Sequence, residues 1–152
     1  MMGANKLFIT WAGGIAVLLL TLSPAYAHVT IQPKQSTAGV SENYTIRVPT
    51  EKFVPTVRVE IEFPSTLSVA SIEPKAGWKI EQKKDPDGRL VGAVFIGSIP
   101  TGESTQFNFT ATNPKRVGKL SFKAIQIYED GTRSEWTGAE GTRTPAPVVE
   151  LK

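Results

Sequence analysis

From His28 onward the apolar residues follow a period of two far better than the helical period of 3.6, and turn-forming residues break the pattern every several positions. The clearest stretch is Val57-Arg58-Val59-Glu60-Ile61-Glu62-Phe63. It predicts a strand with Val57, Val59, Ile61 and Phe63 facing the core and Arg58, Glu60 and Glu62 facing water. Tyr44, Ile46 and Val48 alternate with Thr45 and Arg47 in the same way, as do Phe107, Phe109 and Ala111 with Asn108 and Thr110. Both patterns predict half-buried antiparallel strands.

Leu90 to Ile96 is apolar on both parities and follows the turn signal Asp85-Pro86-Asp87-Gly88, which predicts a central strand covered on both sides. Between Leu120 and Ile127 the apolar parity switches from Leu120 and Phe122 to Ile125 and Ile127, and a bulge near Ala124 is the expected device. Further strands are expected over Val29–Pro33, Trp78–Gln82 and Val148–Leu151, for about eight or nine in all. Pro49, Pro55, Pro64, Pro74, Pro100 and Pro114 mark their ends and edges. No stretch has the period or length of a useful helix. The expected fold is all-β, a single immunoglobulin-like antiparallel β-sandwich, although the Cys…Trp…Cys signature of antibody domains is absent.

The amino end departs from this pattern. Lys6 precedes an apolar run from Leu7 to Leu22, and Ser23-Pro24-Ala25-Tyr26-Ala27 follows it. A charged start, an apolar middle and an Ala-x-Ala box make residues 1–27 an expected signal peptide, cut between Ala27 and His28. The domain is then residues 28–152. No second apolar run reaches the roughly 18 residues that span a bilayer, so the mature chain is expected to lack a membrane anchor and to be periplasmic or secreted.

Composition then narrows the chemistry. The 152 residues carry 17 Lys+Arg against 14 Asp+Glu, a net charge of +3 that is scattered along the chain and offers nucleic acid no basic stripe. With no cysteine, disulfides, thiolate metal sites and iron–sulfur clusters are excluded. Both methionines, Met1 and Met2, leave with the leader, so the mature domain has no sulfur ligand suited to Cu(I). One histidine, at the mature terminus, makes a Ser-His-Asp arrangement a poor fit. No Gly-rich loop opens a helix, and Glu60 and Glu62 share an exposed face that reads as solvated surface.

His28 itself has two readings. It is either an idle, solvated residue after a cleavage site, or a chelator whose α-amine and imidazole Nδ1 close a six-membered ring on one metal ion. The second exists only after cleavage and suits tetragonal Cu(II), which heads the affinity order for nitrogen and oxygen donors.

Four motifs bear on the choice: Ala27-His28-Val29-Thr30; Arg47-Val48-Pro49-Thr50-Glu51; Pro74-Lys75-Ala76-Gly77-Trp78; and Asp130-Gly131-Thr132-Arg133-Ser134-Glu135-Trp136-Thr137-Gly138 followed by Pro145-Ala146-Pro147-Val148-Val149-Glu150-Leu151. Together they give residues 28–152 a sequence that resembles the YcnI-like family of exported bacterial copper-binding domains. The resemblance implies a β-sandwich holding Cu(II) through a one-histidine brace at His28, a carboxylate ligand at Glu51 and an indole beside the metal at Trp136. It further implies a role in copper homeostasis or delivery, without catalytic turnover, alongside other envelope copper chaperones or transporters. Taken as residues, Glu51 is a loop carboxylate at a strand end, Trp136 a rim aromatic in a Gly-flanked segment outside the alternation, and Trp78 a core aromatic sharing parity with Ile80. The sequence departs from the family at Thr50, where relatives carry an asparagine-like residue, and many relatives run on into a membrane anchor that is not expected after Lys152. Two other classes stand beside the copper carrier: a metal-free interaction module, and a copper oxidase or monooxygenase, whose braces use a second histidine that this chain does not have.

Overall fold

Burial alternates where residue type alternates. The computed structural model describes Gly3 and residues 27–152, so the expected leader lies outside the described residues except for Gly3 and Ala27. In strand β3 (Ser41–Pro49) Tyr44, Ile46 and Val48 are buried, and in β8 (Ser104–Thr112) Phe107, Phe109 and Ala111 are. These two strands pair antiparallel along their length, with Tyr44 opposite Phe109 and Ile46 opposite Phe107, so their inward side chains stack directly across the ladder.

Around this pair a large sheet runs in the order β1 (Thr30–Gln32), β3, β8, β5 (Ser68–Ile72), β7 (Leu90–Ile99), β4 (Thr56–Glu62), β10 (Lys123–Tyr128), β11 (Arg133–Trp136), and β6 (Lys79–Lys84) also pairs with β7. A second sheet holds β2 (Gln35–Ser36), β12 (Val148–Leu151) and β9 (Gly118–Ser121). Among the described strands all pairings are antiparallel except β2 with β12. Phe109 packs on Tyr44, Phe63 and Phe122, with ring centroids 5.4, 4.9 and 5.9 Å away, and Leu120, Val149 and Leu151 of the smaller sheet complete the core. The architecture is all-β. Among the described residues no helix is long and apolar enough to cross a membrane.

The expected central strand is β7. It hydrogen-bonds to β4 on one side and to β5 and β6 on the other, and Gly92, Ala93, Val94 and Phe95 are buried in succession. The preceding turn closes through Gly88 N–H to Asp85 O at 3.0 Å, with Gly88 at φ +80°. Glu60 and Glu62 stand on the outer face in ion pairs, Glu60 with Arg58 and Lys83 and Glu62 with Lys123. Trp78, expected in the core, is half-buried and packs against its edge, edge-on to Phe107 at 4.9 Å.

Three expectations need correction. Along β4 the register shifts between Thr56 and Arg58, so Thr56 is buried and Val57 is only half-buried. Between Leu120 and Ile127 there is no parity switch at Ala124. The chain leaves the small sheet at Phe122 and enters the large one as β10, while positions 120, 122, 124, 126 and 128 all stay buried. Apolar identity misled here because the inward residue at 126 is a glutamine and the outward residues at 125 and 127 are isoleucines; the irregularity lies at Ile127/Tyr128 instead. Finally, Trp136 belongs to a regular strand, β11, paired with β10.

The face of Trp78 lies so close to Gly97 that a Cβ there would stand 2.4 Å from the indole. Gly97→Ala is therefore expected to push Trp78 out of its seat against Phe107 and to cost about 1–3 kcal/mol, read as a lowered urea midpoint with a red-shifted Trp78 emission. Unchanged values for both would contradict this packing.

Candidate functional site

The residues of the candidate site come from three separate parts of the chain. Strand β1 pairs antiparallel with the far end of β3, Thr30 opposite Arg47. Stepping backward from Thr30 to His28 therefore runs alongside Val48 and Pro49 towards Glu51. Val29, only 2% exposed, pins this short segment to the core. The Ala27 backbone N–H donates to Glu51 Oε1. His28 is half-buried, its ring 5.8 Å from that of Trp136 and tilted by 56°.

Trp136 reaches this end through the β10–β11 hairpin. Its turn is held by Asp130 Oδ1, which accepts from Thr132 N–H at 3.0 Å and Thr132 Oγ1 at 2.7 Å, and Gly131 takes φ +82°. These hydrogen bonds also hold the Asp130 carboxyl below its ordinary range. The structure thus gathers His28, Glu51 and Trp136 at one end of the sandwich. The nitrogen at Glu51 is that of Ala27, one residue before His28.

Beneath these residues lies a buried polar chain. Trp136 Nε1–H donates to Gln126 Oε1 at 3.1 Å; Gln126 Nε2 donates to Pro49 O at 2.7 Å and to Thr56 Oγ1 at 2.6 Å. Thr56 Oγ1 lies 2.7 Å from Thr50 Oγ1, which donates to Ile99 O at 3.2 Å. Thr50, the departure from the family pattern, is thus a buried anchor of the loop. Its N–H donates to Glu103 O, and its carbonyl accepts from Gly102 N–H.

Beside Glu51 and Trp136 opens a hollow of about 260 Å³, also lined by Lys52, Tyr128, Ser134 and Arg143. Lys52 Nζ stands 4.2 Å from the centre of the Tyr128 ring and donates to Thr132 Oγ1 at 3.2 Å. Burial pushes the Tyr128 phenol above its ordinary value; its contact with Ser134 works against this, and the charges of Glu51 and Asp130 add to it. Phe53, two residues beyond Glu51, is 98% exposed.

Among the described residues no three or more His, Cys, Asp or Glu side chains cluster in a way that could hold a metal ion. His28 and Glu51 therefore make a sufficient donor set only with backbone or terminal nitrogen added. Sequence reasoning missed Gln126, Tyr128 and Lys52. The one available signal was a glutamine on the parity of Phe122 and Ala124.

The electrostatic link between Glu51 and Tyr128 can be read without metal. A negative Glu51 disfavours the phenolate, so Glu51→Gln is expected to let Tyr128 ionise at lower pH than in the parent, though burial still holds it above an ordinary tyrosine. Absorbance at 295 nm against pH measures this, and an unmoved or upward-shifted phenol would contradict the placement of Glu51.

With the geometry in view, the comparisons with known proteins are specific. The family model described as "Domain of unknown function (DUF1775)" matches residues 28–151. Copper-binding protein CutI of Bacillus subtilis (strain 168) is 36% identical over 139 residues, covering 90% of this chain and 68% of that protein. An uncharacterized protein from Nocardia farcinica, whose crystal structure reveals an immunoglobulin-like fold, is similar at a TM-score of 0.71 and 26% identity, covering 82% of this chain and 97% of its own. A cohesin module from a Clostridium perfringens family 33 glycoside hydrolase reaches a TM-score of 0.53 at 12% identity over 82% of this chain and 96% of its own, a likeness of fold alone. The fold is immunoglobulin-like, as the strand pattern predicts, and the chain belongs to the DUF1775 family, the YcnI-like group that its motifs resemble.

Proposed function

We propose that this chain is an exported Cu(II)-binding protein of the bacterial envelope, serving copper homeostasis or delivery without turnover, and that it holds the ion through His28 and Glu51 once the leader is cut after Ala27. The observation that carries this reading is the meeting of three distant segments at one end of the sandwich. The peptide at residue 27 bonds to Glu51, and the His28 ring faces Trp136. The similarity to a copper-binding protein supports the metal.

The donor set fits Cu(II). The His28 α-amine and imidazole Nδ1 supply two nitrogens in a six-membered chelate, and Glu51 supplies an oxygen. Residues 28–152 contain neither Cys nor Met, so the domain offers no sulfur ligand of the kind that selects the softer Cu(I). The Trp136 indole stands beside the imidazole, 5.8 Å from it between ring centroids. The hollow lined by Glu51 and Trp136 leaves a route by which a donor or acceptor of copper can reach the carboxylate. Residues 1–27 serve as the leader, and the periplasm or the cell exterior is the proposed location.

Both nitrogens bind only when deprotonated. Affinity is therefore expected to fall on acidification. The direct test is a Cu(II) titration of protein beginning at His28 against the same protein with its α-amine acetylated, which turns that nitrogen into an amide and supplies no replacement amine. Affinity is expected to drop at least tenfold on acetylation, and Glu51→Gln is expected to weaken binding in the same direction. Equal affinity for the free and acetylated termini would overturn the reading.

A further inference from the structure

We propose that Gln126 is a positioning residue of the metal site, holding the Trp136 indole and the backbone leading into Glu51 in one mutual arrangement; the inference rests on the copper reading above. Gln126 is fully buried on β10, between Ala124 and Tyr128 on the inward parity. An amide in such a place carries a large desolvation cost unless each of its groups is paired.

The pairing here is complete and admits one orientation. The indole Nε1–H can only donate, and the Pro49 carbonyl can only accept. Oε1 of Gln126 therefore faces Trp136, and Nε2 faces Pro49. The second Nε2 hydrogen goes to Thr56 Oγ1. Thr50 Oγ1 gives its hydrogen to Ile99 O, so the hydrogen between the two threonines must come from Thr56. Flipping the amide would break the bonds to Trp136 and Pro49 and force the Thr56 hydroxyl to turn its hydrogen away from Thr50.

The two ends of this chain are the two walls of the site. At one end the anchored indole stands 5.8 Å from the His28 ring. At the other, Pro49 and Thr50 immediately precede Glu51. Strands β3 and β11 are not neighbours in the sheet, since β3 lies near one end of the strand order and β11 at the other. No backbone ladder sets the spacing between Glu51 and Trp136 directly. The Gln126 side chain bridges that gap, and a shift of either wall stretches one of its hydrogen bonds.

The test uses processed protein beginning at His28 and carrying Trp78→Phe, so that Trp136 is the only indole left. Gln126→Met keeps length and burial while removing the amide. In the metal-free state it is expected to shift the emission of Trp136 and reduce its near-ultraviolet dichroism. With Cu(II) it is expected to weaken binding about tenfold, the size of effect typical of groups that orient ligands from behind, and to change the copper hyperfine splitting. Adding Trp136→Phe is expected to give less than the sum of the two single losses, because the residues act in one chain. A folded Gln126→Met protein with unchanged emission and unchanged affinity would overturn the inference. If that variant does not fold, Thr56→Val removes one Nε2 acceptor and leaves the indole bond, and it is expected to move both readouts in the same direction by less; no movement would again overturn it. Failure of the parent to bind Cu(II) would defeat the copper reading and with it the metal-site role, whereas the emission measurement, which needs no metal, tests separately whether Gln126 holds the indole.

Discussion

The short pairing of β1 with the end of β3 decides where the amino-terminal end of the domain lies. Only three residue pairs make this ladder, yet Ile31 and Val29 on either side of Thr30 are both buried, so the register is enforced by packing as well as by hydrogen bonds. A slip of one residue would turn both side chains to solvent, at roughly 1.5–3 kcal/mol each, and would carry His28 away from Glu51 and Trp136. His28 is held one residue from the fully packed Val29.

That constraint would be of little use if the opposing wall were loose. Glu51 sits on a loop, and loops move more than the strands they join. The loop is tied from behind: Thr50 makes backbone bonds to Gly102 and Glu103, and the side chains of Thr50 and Thr56 join it to Ile99 and Gln126. Among the described residues no buried side-chain nitrogen or oxygen lacks a partner. A half-satisfied network of this kind would cost more than an apolar core. Satisfied throughout, it joins the carboxylate's loop to the indole across the interior, and the exposed hollow beside them stays open to solvent and to partners.

Much of the fold was legible in the sequence because half-buried antiparallel strands write their two faces as alternation. Tyr44, Ile46 and Val48, or Phe107, Phe109 and Ala111, leave little choice of parity. The same rule failed where polarity and burial part company. Gln126 is inward and Ile125 and Ile127 are outward-leaning, which made a strand crossing between two sheets look like a bulge. β11 was invisible as a strand because Arg133, Ser134 and Glu135 carry no apolar signal before Trp136. For the site, a lone histidine after an Ala-x-Ala box and the family motifs pointed to His28, Glu51 and Trp136, and the structure brings all three to one end of the sandwich. Gln126, Tyr128 and Lys52 were not legible, since their roles come from partners distant in sequence.

The central claim is that His28 supplies both nitrogens of a copper chelate once it is the first residue. Because the chain contains a single histidine, growing it on ¹⁵N-histidine labels only that residue, and its α-amine and imidazole nitrogens together. Paramagnetic resonance of the Cu(II)-loaded, processed protein, labelled and unlabelled, therefore reads the chelate directly. The account predicts hyperfine coupling from two nitrogens, both of which change on labelling. A spectrum with no nitrogen coupling, or one that labelling leaves unchanged, would contradict it.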